Sequence, residues 1–110
     1  MKVENRVGHL KFLLQILVME TIQIIISGKV QGVWYRKSTK EKADELGIVG
    51  TVQNLTTGQV KVIAQGEKNA LNILIEWTKI GSKYAEVQSI STALVNEPLQ
   101  FQKFEIIRHT

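Results

Sequence analysis

The sequence predicts an α+β domain of the ferredoxin-like class, a βαββαβ sandwich whose antiparallel sheet carries both helices on one face. Three observations predict it. A β-branched run is followed at once by a segment with helical periodicity, two strand-like runs are joined by a short turn, and a second amphipathic helix precedes two late strand-like runs. The last of these runs adds a terminal strand to the βαββαβ order.

The first strand and the first helix lie on either side of a glycine-containing turn. Residues 21–27 are dense in isoleucine, which is typical of a buried central strand. Residues 34–46 have an apolar stripe at helical spacing. Gly47 is suited to end this helix, because glycine adopts the left-handed conformation found at many helix C-termini.

The rest of the chain supplies the hairpin, the second helix and the last strands. Residues 48–54 and 59–65 are predicted strands around a short turn, and alternate side chains of the second one form an apolar face. Residues 67–80 place an apolar stripe along one side of a helix. Residues 84–95 and 99–107 are strand-like runs with a turn between them.

The length of 110 residues suits one compact domain. We expect residues 20–110 to form this domain and residues 1–19 to be an N-terminal extension outside the core fold, with an extra packed helix as the alternative. Residues 12–18 are nearly all apolar, but they are too few to span a bilayer, and no small-residue cleavage site follows them. We therefore expect a cytoplasmic protein that does not associate with membranes.

The composition excludes several kinds of chemistry. The chain has no cysteine, which removes disulfides, thiolate nucleophiles and cysteine-bound metals. Its two histidines, His9 and His109, lie near opposite ends, so we expect no metal and no cofactor. The formal net charge of +4 suits an anionic ligand, but it is not concentrated in a basic run.

The most informative segment is the turn between the first strand and the first helix. Gly28 and Gly32 lie there, and glycine lets a backbone approach a ligand closely. The free N–H groups at the start of the next helix favour an anion. Arg36 lies in or beside the first helical turn, where the helix dipole disfavours a cation unless an anion lies between them. The segment therefore predicts a phosphate-binding loop with an arginine clamp.

Two motifs carry a resemblance to a known family. The first is a glycine-containing loop that ends in an aromatic residue and an arginine: Gly28, Val30, Gln31, Gly32, Val33, Tyr35 and Arg36. The second surrounds the predicted hairpin: Gly50, Asn54, Gly58, Val60 and Gly66. Together the motifs resemble those of the acylphosphatase family, and the similarity covers about residues 20–107.

The resemblance implies a reaction and a site. Acylphosphatases hydrolyse the carboxyl–phosphate anhydride of acyl phosphates to a carboxylate and inorganic phosphate, without a metal. By position, Asn54 would hold the attacking water and the Arg36 side chain would bind the phosphoryl group. Backbone amides would complete the phosphate site, those of Gln31, Gly32, Val33, Trp34, Tyr35 and Arg36. The implied partners are an acyl phosphate and inorganic phosphate or similar anions, and we expect a monomer.

Elementary chemistry agrees with this assignment. Phosphoryl transfer depends mainly on positioning and on stabilisation of charge. The planar fork of Arg36 fits a phosphate group in a bidentate manner, and Asn54 can orient water through its carbonyl and its amide. Asn54 cannot take a proton near neutral pH, so no general base is evident. We hypothesise that the substrate phosphate accepts the proton of the water.

Three positions depart from the family pattern. Tyr35 replaces a phenylalanine or methionine, Thr51 replaces an aromatic residue, and Ser82 replaces a proline. Thr51 could change packing or substrate preference near the site. Trp34 and Trp77 are interpreted as packing residues, and a place beside the acyl group is the alternative for Trp34.

Two other functions stay open. A non-catalytic domain that binds phosphate or another anion would keep the loop without turnover, although the presence of both Arg36 and Asn54 argues against it. A nucleic-acid-binding module with this topology would need exposed aromatic residues on its central strands. Residues 22–26 and 60–65 contain none, so we expect no nucleic-acid partner.

Overall fold

The computed structural model describes residues 19–108, which form five strands and two helices. Residues 1–18 and 109–110, which include both histidines and nearly all of the predicted extension, lie outside the described residues. The elements in chain order are β1 (Met19–Lys29), α1 (Tyr35–Glu45), β2 (Val49–Asn54), β3 (Val60–Glu67), α2 (Lys68–Thr78), β4 (Glu86–Leu94) and β5 (Phe104–Ile107). The predicted order of elements is confirmed, and the boundary of the extension stays a prediction.

The five strands form one sheet in the order β4-β1-β3-β2-β5. β1 is antiparallel to both β3 and β4, and β2 is antiparallel to β3. β5 runs parallel to β2, so the sheet is mixed: the predicted ferredoxin-like α+β fold is confirmed, but this pair departs from the predicted antiparallel arrangement. The reason is topological, because the chain reverses after β4 and then reaches the opposite edge of the sheet, where β2 already runs in the same direction.

Both helices cover the same face of the sheet, as predicted. α1 packs on β2 and β5, α2 packs on β1 and β3, and the two helices contact each other. Alternate strand residues are buried beneath them, among them Ile22, Ile24 and Ile26 in β1 and Val60, Val62 and Ala64 in β3. Burial of aliphatic side chains of this kind stabilises a fold by about 1.5–3 kcal/mol each, so the β1–β3 pair is the centre of the core.

The last strand is shorter than predicted. Only Phe104–Ile107 pairs with β2, whereas residues 99–103 of the predicted strand belong to an irregular connection. Because β4 and β5 lie at opposite edges, this connection has to cross the end of the sheet. It is held there by the side chain of Gln65, whose Nε2 donates to the Leu99 carbonyl at 2.8 Å. Within residues 19–108, neither helix is long and apolar enough to cross a membrane.

Candidate active site

A β-bulge near the end of β1 precedes the loop to α1. The pairing of β1 with β4 shifts register between Ser27 and Gly28, and a side chain at Gly28 would overlap the backbone of Glu86. Gly28 therefore allows two strands to approach each other closely. Gly32 differs, because its φ is 73° and a side chain there would meet open space. Gly32 thus supplies the left-handed turn of the loop itself.

The loop leads into α1 without a side-chain cap. Trp34 is the residue before the helix, its φ and ψ are 64° and 19°, and no side-chain hydrogen bond caps the first turn. That turn also contains no acidic residue. The first amide donors of α1, and the positive end of its dipole, are therefore available to an anion.

The loop and the helix start border a cavity of about 320 Å³. Five of the predicted site residues line it: Gly32, Trp34, Tyr35, Arg36 and Asn54. Gln31 and Val33 lie in the same loop but do not line the cavity. The structure therefore brings Arg36 and Asn54 together, although they belong to different elements.

Arg36 is held by the end of β5. Its Nη1 donates to the carbonyl of Ile107 at 3.2 Å, which uses one of the five N–H donors of a guanidinium. Lys37 and Arg108 also line the cavity. The described residues of its wall include no carboxylate, histidine or cysteine, so the cavity is positively charged and contains no obvious proton acceptor.

Asn54 ends β2 and presents an unsatisfied polar atom. Within residues 19–108, its Oδ1 is the buried side-chain polar atom without a hydrogen-bond partner. Leaving a buried acceptor in this state costs about 1–3 kcal/mol. Since Asn54 lines a cavity with three cationic side chains, its Oδ1 is placed to accept a hydrogen bond from a ligand or a water molecule.

Sequence reasoning missed the side chain of Gln31, to which it assigned only a backbone amide. Gln31 Nε2 donates to the carbonyl oxygens of Leu55 and Gln59, both at 2.8 Å. These two carbonyls belong to the turn that follows Asn54. The side chain therefore fastens the predicted phosphate-binding loop to the hairpin that carries the candidate water-binding residue.

Two departures from the family pattern make bonds that hold the same region. The buried hydroxyl of Tyr35 donates to the carbonyl of Thr78 at 2.8 Å, and its burial raises the pKa of Tyr35 well above the ordinary value. Ser82 Oγ donates to the carbonyl of Val33 at 2.6 Å. The loop and the start of α1 are thus fixed to the end of α2 and to the turn after it.

The structure also places Thr51, which was expected near the site, and the two tryptophans, which were interpreted as packing residues. Thr51 is half-buried on the face of the sheet opposite the helices and does not line the cavity. Trp77 packs with its ring centroid 5.7 Å from that of Tyr35, as predicted for a packing residue. Trp34 is 71% exposed, so its interpretation as a packing residue is wrong.

The described residues contain no group of three or more His, Cys, Asp or Glu side chains that could hold a metal ion. The donor set of the cavity therefore consists of backbone amides, guanidinium and ammonium groups, and one carboxamide. This set fits a phosphate-like anion.

Comparison with known proteins identifies the family of the chain. A sequence model of the family described as Acylphosphatase matches residues 22–106. An acylphosphatase of Acaryochloris marina is 48% identical over 88 residues, which are 79% of this chain and 92% of that relative. An acylphosphatase structure from Coxiella burnetii is similar with a TM-score of 0.80 and 33% identity, covering 84% of this chain and 97% of that one. An acylphosphatase structure from Bacillus subtilis has a TM-score of 0.77 and 32% identity, covering 81% of this chain and 98% of that one. With both motifs inside the matched range, the chain belongs to the acylphosphatase family of enzymes.

Proposed function

We propose that this chain is a metal-independent acylphosphatase in which Arg36 binds the phosphoryl group and Asn54 positions the attacking water. The observation that carries the proposal is the buried, unpartnered Oδ1 of Asn54 in the same cavity as Arg36. Family membership supports the reaction, and the geometry of the cavity supports the two roles.

The phosphoryl group of the substrate carries the negative charge that the site has to bind. The guanidinium of Arg36 donates to two of its oxygens, because a planar fork matches the spacing of phosphate oxygens. The remaining contacts come from the loop amides of Gln31, Gly32, Val33, Trp34, Tyr35 and Arg36. These donors are fixed before substrate arrives, so they stabilise charge in the transition state without reorganisation.

Asn54 binds and orients the water. Its Oδ1 accepts a hydrogen bond from one O–H, which directs an oxygen lone pair toward phosphorus. The water oxygen forms the new bond to phosphorus as the bond between phosphorus and the acyl oxygen breaks, and the carboxylate leaves with that electron pair. The released proton goes to a phosphate oxygen of the substrate. A carboxylate is a good leaving group, so the reaction requires no protein acid or base.

We also propose that the enzyme acts as a cytoplasmic monomer and binds its product, inorganic phosphate, at the same site. Nucleic-acid binding is not part of the proposal, because β1 and β3, which lie side by side in the sheet, carry no aromatic residue for base stacking.

The test is hydrolysis of benzoyl phosphate by purified protein in the presence of a chelator. We expect turnover by the wild type, and we expect Asn54→Ala to lower kcat about 10²–10³-fold, the range seen when one transition-state donor is removed. Inorganic phosphate should still inhibit Asn54→Ala competitively, whereas Arg36→Lys should weaken both phosphate inhibition and rate. Asn72→Ala, an exposed substitution on α2, is the matched control.

Two results would contradict the proposal. A folded wild type that binds phosphate without turnover would indicate the non-catalytic anion-binding function. Full turnover by Asn54→Ala would show that Asn54 does not position the water.

A further inference from the structure

Trp34 combines two unfavourable features. Its φ of 64° is left-handed, and it is the one non-glycine residue among residues 19–108 with a positive φ. A bulky residue in this region costs about 1–3 kcal/mol of strain. Its indole ring is also 71% exposed, so it recovers little free energy from packing. Backbone strain of this kind often occurs at active sites and ligand-binding residues, which suggests a functional role for Trp34.

The position of the indole supplies an explanation. Trp34 lines the same cavity as Arg36 and Asn54, and the apolar residues Val30 and Ile106 line it as well. The cavity, at about 320 Å³, lies within the size range of small-molecule sites, so it has room for more than a phosphoryl group. We therefore expect the acyl group of an acyl phosphate held by Arg36 to lie in this remaining space.

The ammonium group of Lys37 lies near the Trp34 ring but leaves most of the ring exposed. Lys37 Nζ lies 6.0 Å from the centroid of the Trp34 ring, which is within the range of a cation–π contact. The ring stays exposed despite this contact, so it keeps surface for a second partner. An aromatic group suits that surface best, because offset or edge-to-face contacts between rings add to the gain from simple burial.

On the basis of the acylphosphatase reaction proposed above, we propose that the Trp34 side chain binds the acyl group and makes the enzyme prefer aromatic acyl phosphates to small aliphatic ones. The loop amides and Arg36 recognise what all acyl phosphates share. The Trp34 side chain recognises the part that differs, so this side chain determines specificity and takes no part in the chemical step.

The experiment compares kcat/KM for benzoyl phosphate and acetyl phosphate. Trp34→Asn removes the ring but keeps a residue that tolerates left-handed φ, and Trp34→Phe keeps an aromatic ring. We expect the benzoyl-to-acetyl ratio to fall about tenfold in Trp34→Asn and to stay near the wild-type value in Trp34→Phe. Tyr84→Ala is the matched control, because Tyr84 is also exposed beneath a lysine, Lys83 at 5.4 Å, but does not line the cavity.

A binding measurement separates this inference from the proposed reaction. Calorimetric titration with phenylphosphonate and methylphosphonate measures the same discrimination without turnover. A ratio unchanged by Trp34→Asn, in kinetics and in binding, overturns the role of Trp34 and leaves the acylphosphatase reaction intact. The other informative result is a wild type that hydrolyses neither substrate but binds phenylphosphonate more tightly than methylphosphonate, with a preference that Trp34→Asn removes. That result supports the aromatic site and overturns the proposed reaction.

Discussion

The side chain of Gln31 joins the proposed phosphate-binding loop to the hairpin that carries Asn54, and its loss has a predictable cost. Gln31→Leu keeps a similar volume but removes the two bonds to the carbonyls of Leu55 and Gln59. Neither carbonyl becomes an orphan, because the N–H of Gly58 donates to Leu55 at 3.1 Å and the N–H of Leu55 donates to Gln59 at 2.8 Å. Gln31→Leu therefore loses two hydrogen bonds, but it does not leave either carbonyl buried without a donor.

The expected magnitudes follow from this geometry. A neutral hydrogen bond contributes about 0.5–1.5 kcal/mol, so the loss of two should lower the free energy of unfolding of Gln31→Leu by about 1–3 kcal/mol. We also expect kcat for benzoyl phosphate to fall about tenfold, since Asn54 is less firmly positioned against the loop. Competitive inhibition by inorganic phosphate should change by less than about threefold, because Arg36 and the loop amides remain.

The assays are urea denaturation and steady-state kinetics, with Gln59→Leu as the matched control. The Gln59 side chain also makes two bonds from this hairpin, donating to Ser27 at 2.9 Å and accepting from Thr57 at 2.9 Å, but it does not reach the loop. Wild-type kcat in Gln31→Leu would refute the reasoning. So would an equal loss of kcat in both variants, because the effect would then come from general weakening of the hairpin.

Two other substitutions test how the loop is held. Ser82→Ala removes the 2.6 Å bond to the Val33 carbonyl, so we expect a loss of about 1–2 kcal/mol in urea denaturation together with a several-fold lower kcat; a loss of stability alone would limit Ser82 to folding. Tyr35→Phe keeps the packing on Trp77 and removes the bond to Thr78, so we expect about 1 kcal/mol lower stability near neutral pH. Burial raises the pKa of Tyr35, so above about pH 10 the unfolded chain releases a proton that the folded state keeps, and the advantage of wild type over Tyr35→Phe should shrink as pH rises. An advantage that grows with pH in the same denaturation series would contradict this sign.

The elements that local signals specify were predictable from the sequence. Predicted residues 34–46 correspond closely to Tyr35–Glu45, because an apolar stripe and Gly47 define a helix within its own segment. The hairpin strands were predictable for the same reason. The strand Phe104–Ile107 was predicted within residues 99–107, but its shorter length and its parallel direction were not, because both depend on which edge of the sheet is open after four other strands have paired.

The same distinction between local and long-range signals applies to the site. Arg36 and Asn54 belong to short motifs, and the structure brings both to one cavity. The bonds that hold the loop could not be predicted, since the partners of Gln31 and Ser82 lie 24 to 49 residues away in the chain. No periodicity or local propensity in a single sequence indicates such pairs.

These long-range bonds support the proposed reaction, which uses no titratable catalytic group. In a reaction driven by positioning, the rate depends on how firmly the donors are held when the substrate arrives. Here Gln31 fixes the loop to the hairpin, Ser82 fixes it to the turn after α2, and the Ile107 carbonyl holds Arg36. Ser82, where the resemblance to the family implies a proline, holds the loop through a hydrogen bond of its side chain. If rigidity of the loop is what the reaction requires, Ser82→Ala has to lower kcat even under conditions where the variant is fully folded.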